Sequence, residues 1–265
     1  RQKQGIGTQL VDYGIEQISQ AMRPVRDGLP SFMAGRGGLR FPQPPTLASV
    51  DTDGSADAAI TVHTNADDVA GSDKGVQVID CASFDEVILQ AIVHRLQFGN
   101  FGARAFPEQV TTWNELVLAA HARVAETELL DGILAASSDA TTTVQLGATR
   151  ELIRVVAQAA TGYRNRNRMA PDARLRWVAP AWVIDAMISD LAQGEQSDPA
   201  FLNQTRQNVQ SYLSNLGVNV SFYVDSPTGL GQVFGAQGDG ALVTFPQTVH
   251  SFLFHEGAFV FLDGG

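Results

Sequence analysis

A stretch rich in proline and glycine, residues 28–75, constrains the fold of this chain more than any other feature. Its apolar side chains are too few and too scattered to offset the conformational entropy lost when the segment becomes ordered. Residues 38–41 and 60–63 nevertheless alternate polar and apolar side chains, as strands do. We therefore predict an extended hairpin that becomes ordered by packing on another surface, and we favour a second copy of the chain as that surface.

Composition narrows the class of protein. With 265 residues and 44% hydrophobic content, the chain can build one large domain or two smaller ones. A net charge of -10 and only two lysines, Lys3 and Lys74, disfavour a protein whose main task is to grip phosphate backbones. The single Cys81 excludes an intramolecular disulfide, and we expect a reduced, cytosolic environment. The first residue is Arg1 rather than Met, so we expect a processed chain or part of a longer one.

Two regions before residue 100 carry regular apolar spacing. Residues 8–22 are predicted to form a short amphipathic helix, and residues 76–79 a strand. The capping-box spacing at Ser83 precedes an apolar stretch, 84–98, for which helix and strand both remain open.

A long amphipathic helix is predicted over residues 112–137. Thr112 and Glu115 have capping-box spacing, and apolar residues follow at steps of three and four. We expect the apolar side chains of this spine helix to pack against the body of the subunit, namely those of Trp113, Leu116, Leu130 and Leu134.

After residue 148 the pattern alternates between helices and strands, as in an α/β or α+β domain. The first helix is expected to bury Leu152, Val155, Val156 and Ala159. Predicted helices cover 150–163, a segment that begins at Pro180, and 198–216; predicted strands cover 175–179, 218–224 and 241–245, followed by a terminal hairpin over 251–265.

Sequence patterns for catalysis and ligand binding mostly fail. The chain contains neither a Walker loop nor a GxSxG nucleophile elbow, and the glycine loop 229–240 shows no following helix to bind a pyrophosphate. Residues 51–57 resemble the start of a calcium loop but lack the bidentate glutamate. His250 and His255 fall on opposite faces of a strand. We predict no catalytic, cofactor-binding or metal-ligating residue.

Two clusters of charged residues are interpreted without a catalytic or DNA-binding role. The carboxylates of Glu126, Glu128 and Asp131 are interpreted as a solvated helix face or as intersubunit ion pairs rather than as acid–base catalysts. The dense basic cluster is interpreted as pairing with carboxylates of another subunit, or as solvated, rather than as a DNA contact, because the chain is strongly acidic. This cluster comprises Arg164, Arg166 and Arg168, with Arg174 and Arg176 beyond.

The order of these parts resembles the major capsid protein of tailed bacteriophages, the Hong Kong 97-type coat fold that encapsulin compartments also use. Residues 98–108 together with the helix from Trp113 to Leu134 resemble the spine region of capsid proteins from phages of actinobacteria. Residues 176–182 resemble the strand-to-helix entry of the axial domain in that family, and residues 255–265 resemble its terminal strands.

The resemblance implies an α+β fold in four parts. These are an N-terminal arm at 1–27, an extended loop at 28–79, a peripheral domain at 80–147 plus 247–265 that contains the spine helix, and an axial α/β domain at 148–246. It further implies a homo-oligomer of hexamers and pentamers on an icosahedral shell that encloses double-stranded DNA.

The resemblance also implies partners and contacts. A portal protein is an expected partner, with scaffold or decoration proteins as further candidates, no membrane is involved, and the protein is expected in the virion after assembly in the cytoplasm of a bacterial host. One subfamily crosslinks a lysine of the extended loop to a late asparagine; Lys74 lies in the right region, but no Asn follows Asn219, so no crosslink is expected. The predicted intersubunit contact residues are Arg36, Arg40, Phe41, Lys74, Arg164, Arg166 and Arg168.

Two alternatives stay open. An encapsulin shell differs from a viral coat in enclosing a cargo protein instead of a genome. A soluble α/β enzyme would use the loop 229–240 and would need a ligand pocket in an isolated monomer.

Overall fold

The computed structural model of the chain describes six stretches, 22–35, 37–50, 58–140, 148–194, 206–230 and 244–264. Helices and strands are mixed, so the predicted α+β class is confirmed. The helices are α1 (Pro24–Asp27), α2 (Asn65–Ala70), α3 (Asn100–Ala105), α4 (Pro107–Ala135), α5 (Ala148–Arg166), α6 (Trp182–Gly194) and α7 (Arg206–Asn215), with a 3₁₀ turn at Leu47–Ser49. The strands are β1 (Ser31–Met33), β2 (Leu39–Pro42), β3 (Phe84–Val87), β4 (Leu175–Pro180), β5 (Val218–Tyr223), β6 (Phe252–His255) and β7 (Phe261–Asp263).

The chain forms two compact units, which we call the body and the arm. The body comprises residues 1–32 and 91–261, and the arm comprises residues 33–90 and 262–265. The boundary passes through the two-stranded sheet of β1 and β7. The predicted division into four parts remains a prediction, and the predicted helix at 8–22 lies outside the described residues except for its last residue.

The body is built on a three-stranded sheet in the order β5-β4-β6. β4 and β5 are parallel, with Leu175 opposite Val218, and the helices α6 and α7 form the crossover that a parallel pair requires. β6 is antiparallel to β4, with Val178 opposite Phe252. β4 is buried on both faces, because residues of this strand join a separate core on each side of the sheet, and this explains its nearly continuous apolar sequence.

The alternation of side chains along β4 separates two cores. Leu175, Trp177 and Ala179 join a core that the helices α5, α6 and α7 complete. Val178 faces the opposite core, which contains Leu130 of α4. The remaining buried members of this second core are Val25, Leu29, Ile133, Tyr223, Phe252 and Phe254.

The spine helix is one continuous helix, α4, of 29 residues. It starts at Pro107 rather than at the predicted Thr112, because proline is well suited to the first turn of a helix. Thr112 lies inside the helix and donates its hydroxyl to the backbone carbonyl of Glu108 at 3.1 Å, so the predicted capping box there was wrong. The prediction for Trp113 was also wrong, since 55% of this residue is exposed.

Several smaller predictions for the body needed correction. In α5, Val156 is buried as predicted, but Ala160 is buried instead of Ala159. Pro180 ends β4 instead of starting a helix, because Ala181 still donates its N–H to the carbonyl of Tyr223 on the neighbouring strand. The terminal segments do not form a hairpin with each other: β6 pairs with β4, and β7 pairs with β1.

Two predicted elements fall partly outside the described residues. The predicted start of the helix at 198 does so, whereas its end agrees with α7, which is followed by Gly217 in the left-handed conformation at φ 71°. Residues 241–243 of another predicted strand are also outside the description, and residues 244 and 245 are not in a strand.

Candidate assembly surface

The arm contains an antiparallel ribbon that β2 and β3 form. Leu39 lies opposite Val87 and Phe41 opposite Asp85. The strand predicted around residues 38–41 is therefore confirmed, but its partner is β3 and not residues 60–63, which form no strand. The same pairing settles the open question at 84–98: a strand over Phe84–Val87 is followed by irregular backbone up to Gly99.

Charged and polar side chains line the ribbon. The guanidinium group of Arg40 lies 3.4 Å from the carboxylate of Glu86 and 4.8 Å from the centre of the Phe84 ring. At the end of the ribbon, Gln43 donates to the carboxylate of Asp85 at 3.0 Å. Since both members of the Arg40–Glu86 pair are largely exposed, we expect this pair to contribute little stability within one subunit.

A short capped helix interrupts the irregular part of the arm. Thr64 and Asp67 form a capping box at the start of α2, and Gly71 ends the helix in the left-handed conformation. The hydrogen bonds from the side chain and the backbone of Thr64 lower the pKa of Asp67. The predicted strand at 76–79 is wrong, because no strand forms there.

The apolar side chains of the arm remain uncovered. Among the described residues of the arm, Ala58 is the only buried one. The exposed fraction reaches 91% for Val62 and 90% for Ile79. Other large apolar residues of the arm that stay exposed are Met33, Leu39, Leu47, Ile60, Val69, Val76, Val78, Phe84, Val87 and Ile88. An apolar surface of this extent is typical of a protein–protein interface.

A second apolar surface lies on the body, at the start of the spine helix. Residues 107–118 contain no buried side chain, although α4 is deeply buried further along, at Leu130 and Ile133. The exposed large apolar residues around this half of the helix are Phe98, Phe101, Phe106, Trp113 and Leu118. One half of α4 thus belongs to the core, and the other half presents apolar side chains at the surface.

The predicted contact residues of the arm have different environments. Arg36 lies outside the described residues. Arg40 is engaged within the ribbon, Phe41 is half-buried, and Lys74 is exposed. Whether these side chains contact another subunit remains a prediction.

The basic cluster of the body is divided in role. Arg164 donates to the backbone carbonyls of Ala173, Leu216 and Gly217 at 2.9 to 3.2 Å, so its guanidinium group joins the end of α5 to the turn before β5. Arg166 and Arg168 are exposed and remain predicted contacts.

The sequence-based interpretation of the spine carboxylates needs correction. Glu126 is completely buried, and Asp131 accepts a hydrogen bond from the backbone N–H of Thr228 at 2.6 Å. Only Glu128 lies on a solvated face. The signal that would have found Glu126 is its position, because steps of three and four place it on the same helix face as Ala119, Ala122, Leu130 and Ile133.

Titratable residues show little potential for metal chemistry in the part of the chain that the structure describes. There, no group of three or more His, Cys, Asp or Glu side chains could hold a metal ion. His94 and His121 form an edge-to-face ring pair with centroids 5.4 Å apart, and Nε2 of His121 lies 2.9 Å from the carbonyl oxygen of Ile92. Residues 51–57, which resemble the start of a calcium loop, and most of the glycine loop at 229–240 lie outside the described residues.

Comparisons with protein-family models, with curated proteins and with solved structures found no match. Among the described helices, none combines the length and the apolar composition needed to cross a bilayer.

Proposed function

We propose that this chain is the coat subunit of an icosahedral phage head, with a Hong Kong 97-type fold, that assembles into hexamers and pentamers around double-stranded DNA. The observation that carries the proposal is the arm, which has strands and a capped helix but leaves nearly all its apolar side chains uncovered. A neighbouring copy is the partner that a self-assembling shell always supplies.

The uncovered apolar side chains of the arm can stabilise an intermolecular contact when they become buried in it. Fully burying one Val, Leu, Ile, Phe or Met side chain stabilises a protein by about 1.5–3 kcal/mol. Val62, Val69, Val78 and Ile79 are each more than three-quarters exposed, so each retains most of this free energy for an intermolecular contact. A contact in which the arm of one copy lies on the next is heterologous, and such contacts form rings when the rotation between successive copies closes.

The body supports the same proposal. Its spine helix has a buried half that anchors it in the core and an exposed apolar half that is available to a partner. The net charge of -10 also fits a container for DNA, because a shell that encloses a polyanion gains little from adhering to it everywhere. In this proposal the protein is assembled in the bacterial cytoplasm and ends in the virion, with a portal protein and scaffold or decoration proteins as partners.

Electron microscopy of the purified protein tests this function. We expect closed shells or their hexameric and pentameric building blocks, and shells recovered from the phage source should contain double-stranded DNA. A particle that encloses a cargo protein instead would favour the encapsulin alternative. A chain that stays a 28.4 kDa monomer at every concentration, with a ligand-dependent activity, would overturn the proposal in favour of a soluble enzyme.

A further inference from the structure

A buried charged network joins the short helix α1 to the spine helix. Glu126 of α4 is completely buried, and its Oε1 accepts the backbone N–H of Val25 at 2.6 Å. Its Oε2 lies 3.6 Å from Nε of Arg23, and Arg23 also donates to the carbonyl of Ala125 at 3.0 Å. Glu126 therefore takes the place of a capping residue for α1, from a helix that is distant in sequence.

The network continues along α4 to the end of β5. Arg123, which precedes Glu126 by one helical turn, pairs with Asp225 at 3.1 Å. Five buried atoms of these four side chains form no hydrogen bond: Nε of Arg23, Nε and Nη2 of Arg123, Oε2 of Glu126 and Oδ2 of Asp225. Hydrogen bonds therefore compensate only part of the free energy that these charged groups lose when they are removed from water. This loss disfavours the ionised form of both carboxylates in this position.

This cost appears in the protonation equilibria of both acids. Burial raises the pKa of Glu126, although the hydrogen bond from Val25 and the charge of Arg23 act in the opposite direction. Burial likewise raises the pKa of Asp225, against the charge of Arg123. Both carboxyl groups thus bind a proton at a higher pH when they are enclosed than when they are exposed to water.

We propose that Glu126 is a proton-operated latch for α1: uptake of a proton by its carboxyl group tightens the docking of α1 onto α4. When α1 is undocked, Glu126 is exposed to water and has an ordinary affinity for protons. The docked state therefore binds more protons at pH values between the ordinary pKa of a glutamate and the raised pKa of the docked carboxyl group, so docking becomes more favourable as the pH falls through this window and less favourable as it rises.

The charged neighbours of Glu126 do not reverse this direction. The guanidinium group of Arg23 approaches from the α1 segment, Arg123 lies on α4, and Asp225 follows β5, whereas Arg26 acts on Glu126 through its backbone N–H. The arginines stay charged throughout the accessible pH range. Asp225 titrates in the same direction as Glu126 and adds to the effect.

The latch acts on the segment from which the arm departs. The chain passes directly from α1 into β1, and the arm begins at Met33. The latch is a property of the single chain and holds whether or not the protein assembles, so its test does not depend on the proposed function.

Hydrogen exchange of the unassembled full-length protein tests the latch. Protection of the backbone amides from Val25 to Leu29, corrected for the intrinsic pH dependence of exchange, should increase as the pH is lowered from 8 to 5. Each linked proton can contribute an increase of at most about tenfold per pH unit. Protection that stays constant or decreases on acidification in the wild-type protein would overturn the proposal without the need for any variant.

Matched variants assign the proton. Glu126→Gln keeps an acceptor for Val25 but cannot titrate, so the pH dependence should fall to the part carried by Asp225. The double variant Glu126→Gln/Asp225→Asn should lose it altogether. Glu128→Gln removes the same charge from the solvated face and should behave as the wild type. A full wild-type slope in Glu126→Gln, or an equal loss of slope in Glu128→Gln, would contradict the assignment.

Discussion

Leu130 and Leu118 lie on the same helix but differ in burial, so substitutions at the two positions should differ in their effect on stability. Leu130 is completely buried in the core between α4 and the sheet, whereas 53% of Leu118 is exposed. The loss of a buried side chain removes its transfer free energy and leaves a cavity, while an exposed side chain loses little of either.

Leu130→Ala should lower the free energy of unfolding by about 2–5 kcal/mol. Leu118→Ala, the matched control in the exposed half of the helix, should change it by about 0.5 kcal/mol or less. Urea unfolding of the two variants measures both effects. Equal stability losses would show that the described burial of the spine helix is wrong.

The sequence predicted only in part which residues of the spine helix are buried. The periodic apolar residues correctly indicated that Leu130 faces the core. Trp113 followed the same periodicity and is exposed, because it lies in the half of α4, residues 107–118, that contains no buried side chain. Glu126 was missed because a carboxylate is normally solvated; its position places it on the buried face of the helix, and the distant Val25 and Arg23 supply its polar partners.

At the scale of elements, the β2–β3 ribbon depends on a close backbone approach at Gly38. This residue has φ 83°, a conformation that residues with a Cβ rarely adopt, and a Cβ there would lie 2.0 Å from the carbonyl oxygen of Val87. The neighbouring Gly37 has open space around it. The two glycines thus form a matched pair with opposite structural demands.

Gly38→Ala should open the ribbon, because both the positive φ and the contact with Val87 oppose a side chain. Hydrogen exchange should show faster exchange of the amides in Leu39–Pro42 and Phe84–Val87, whereas Gly37→Ala should keep wild-type rates. A ribbon equally protected in both variants would refute the role assigned to Gly38.

The sequence predicted elements better than their partners. Alternation identified residues 38–41 as a strand, but the pairing of β2 with β3 depends on a contact across most of the arm, which local patterns do not encode. The pattern at 60–63 is equally alternating and forms no strand, because the chain there leads into the capping residue Thr64. The long helix α4 was predictable in kind, but its start at Pro107 was missed and its end at Ala135 comes two residues before the predicted one.

At the scale of the whole molecule, the chain combines a body with two cores and an arm whose described residues include a single buried side chain, Ala58. The sequence predicted that one segment of the chain would lack a core of its own, because proline, glycine and scattered apolar residues cannot build a core. In the proposed shell, the surface that covers the arm belongs to a neighbouring copy of the chain. The coat-protein proposal therefore depends on whether a neighbouring copy of the chain covers the arm.

Thiol labelling of the arm tests this claim most directly. In a Cys81→Ser background, Val62→Cys and Ile79→Cys place single thiols at two of the most exposed apolar positions of the arm. We expect rapid labelling of both thiols in the dissociated subunit. In assembled particles, labelling should be slower by about tenfold or more, because a covered site reacts only when the contact opens. Equal labelling rates in the dissociated and assembled protein would contradict the claim that neighbouring copies bury the arm.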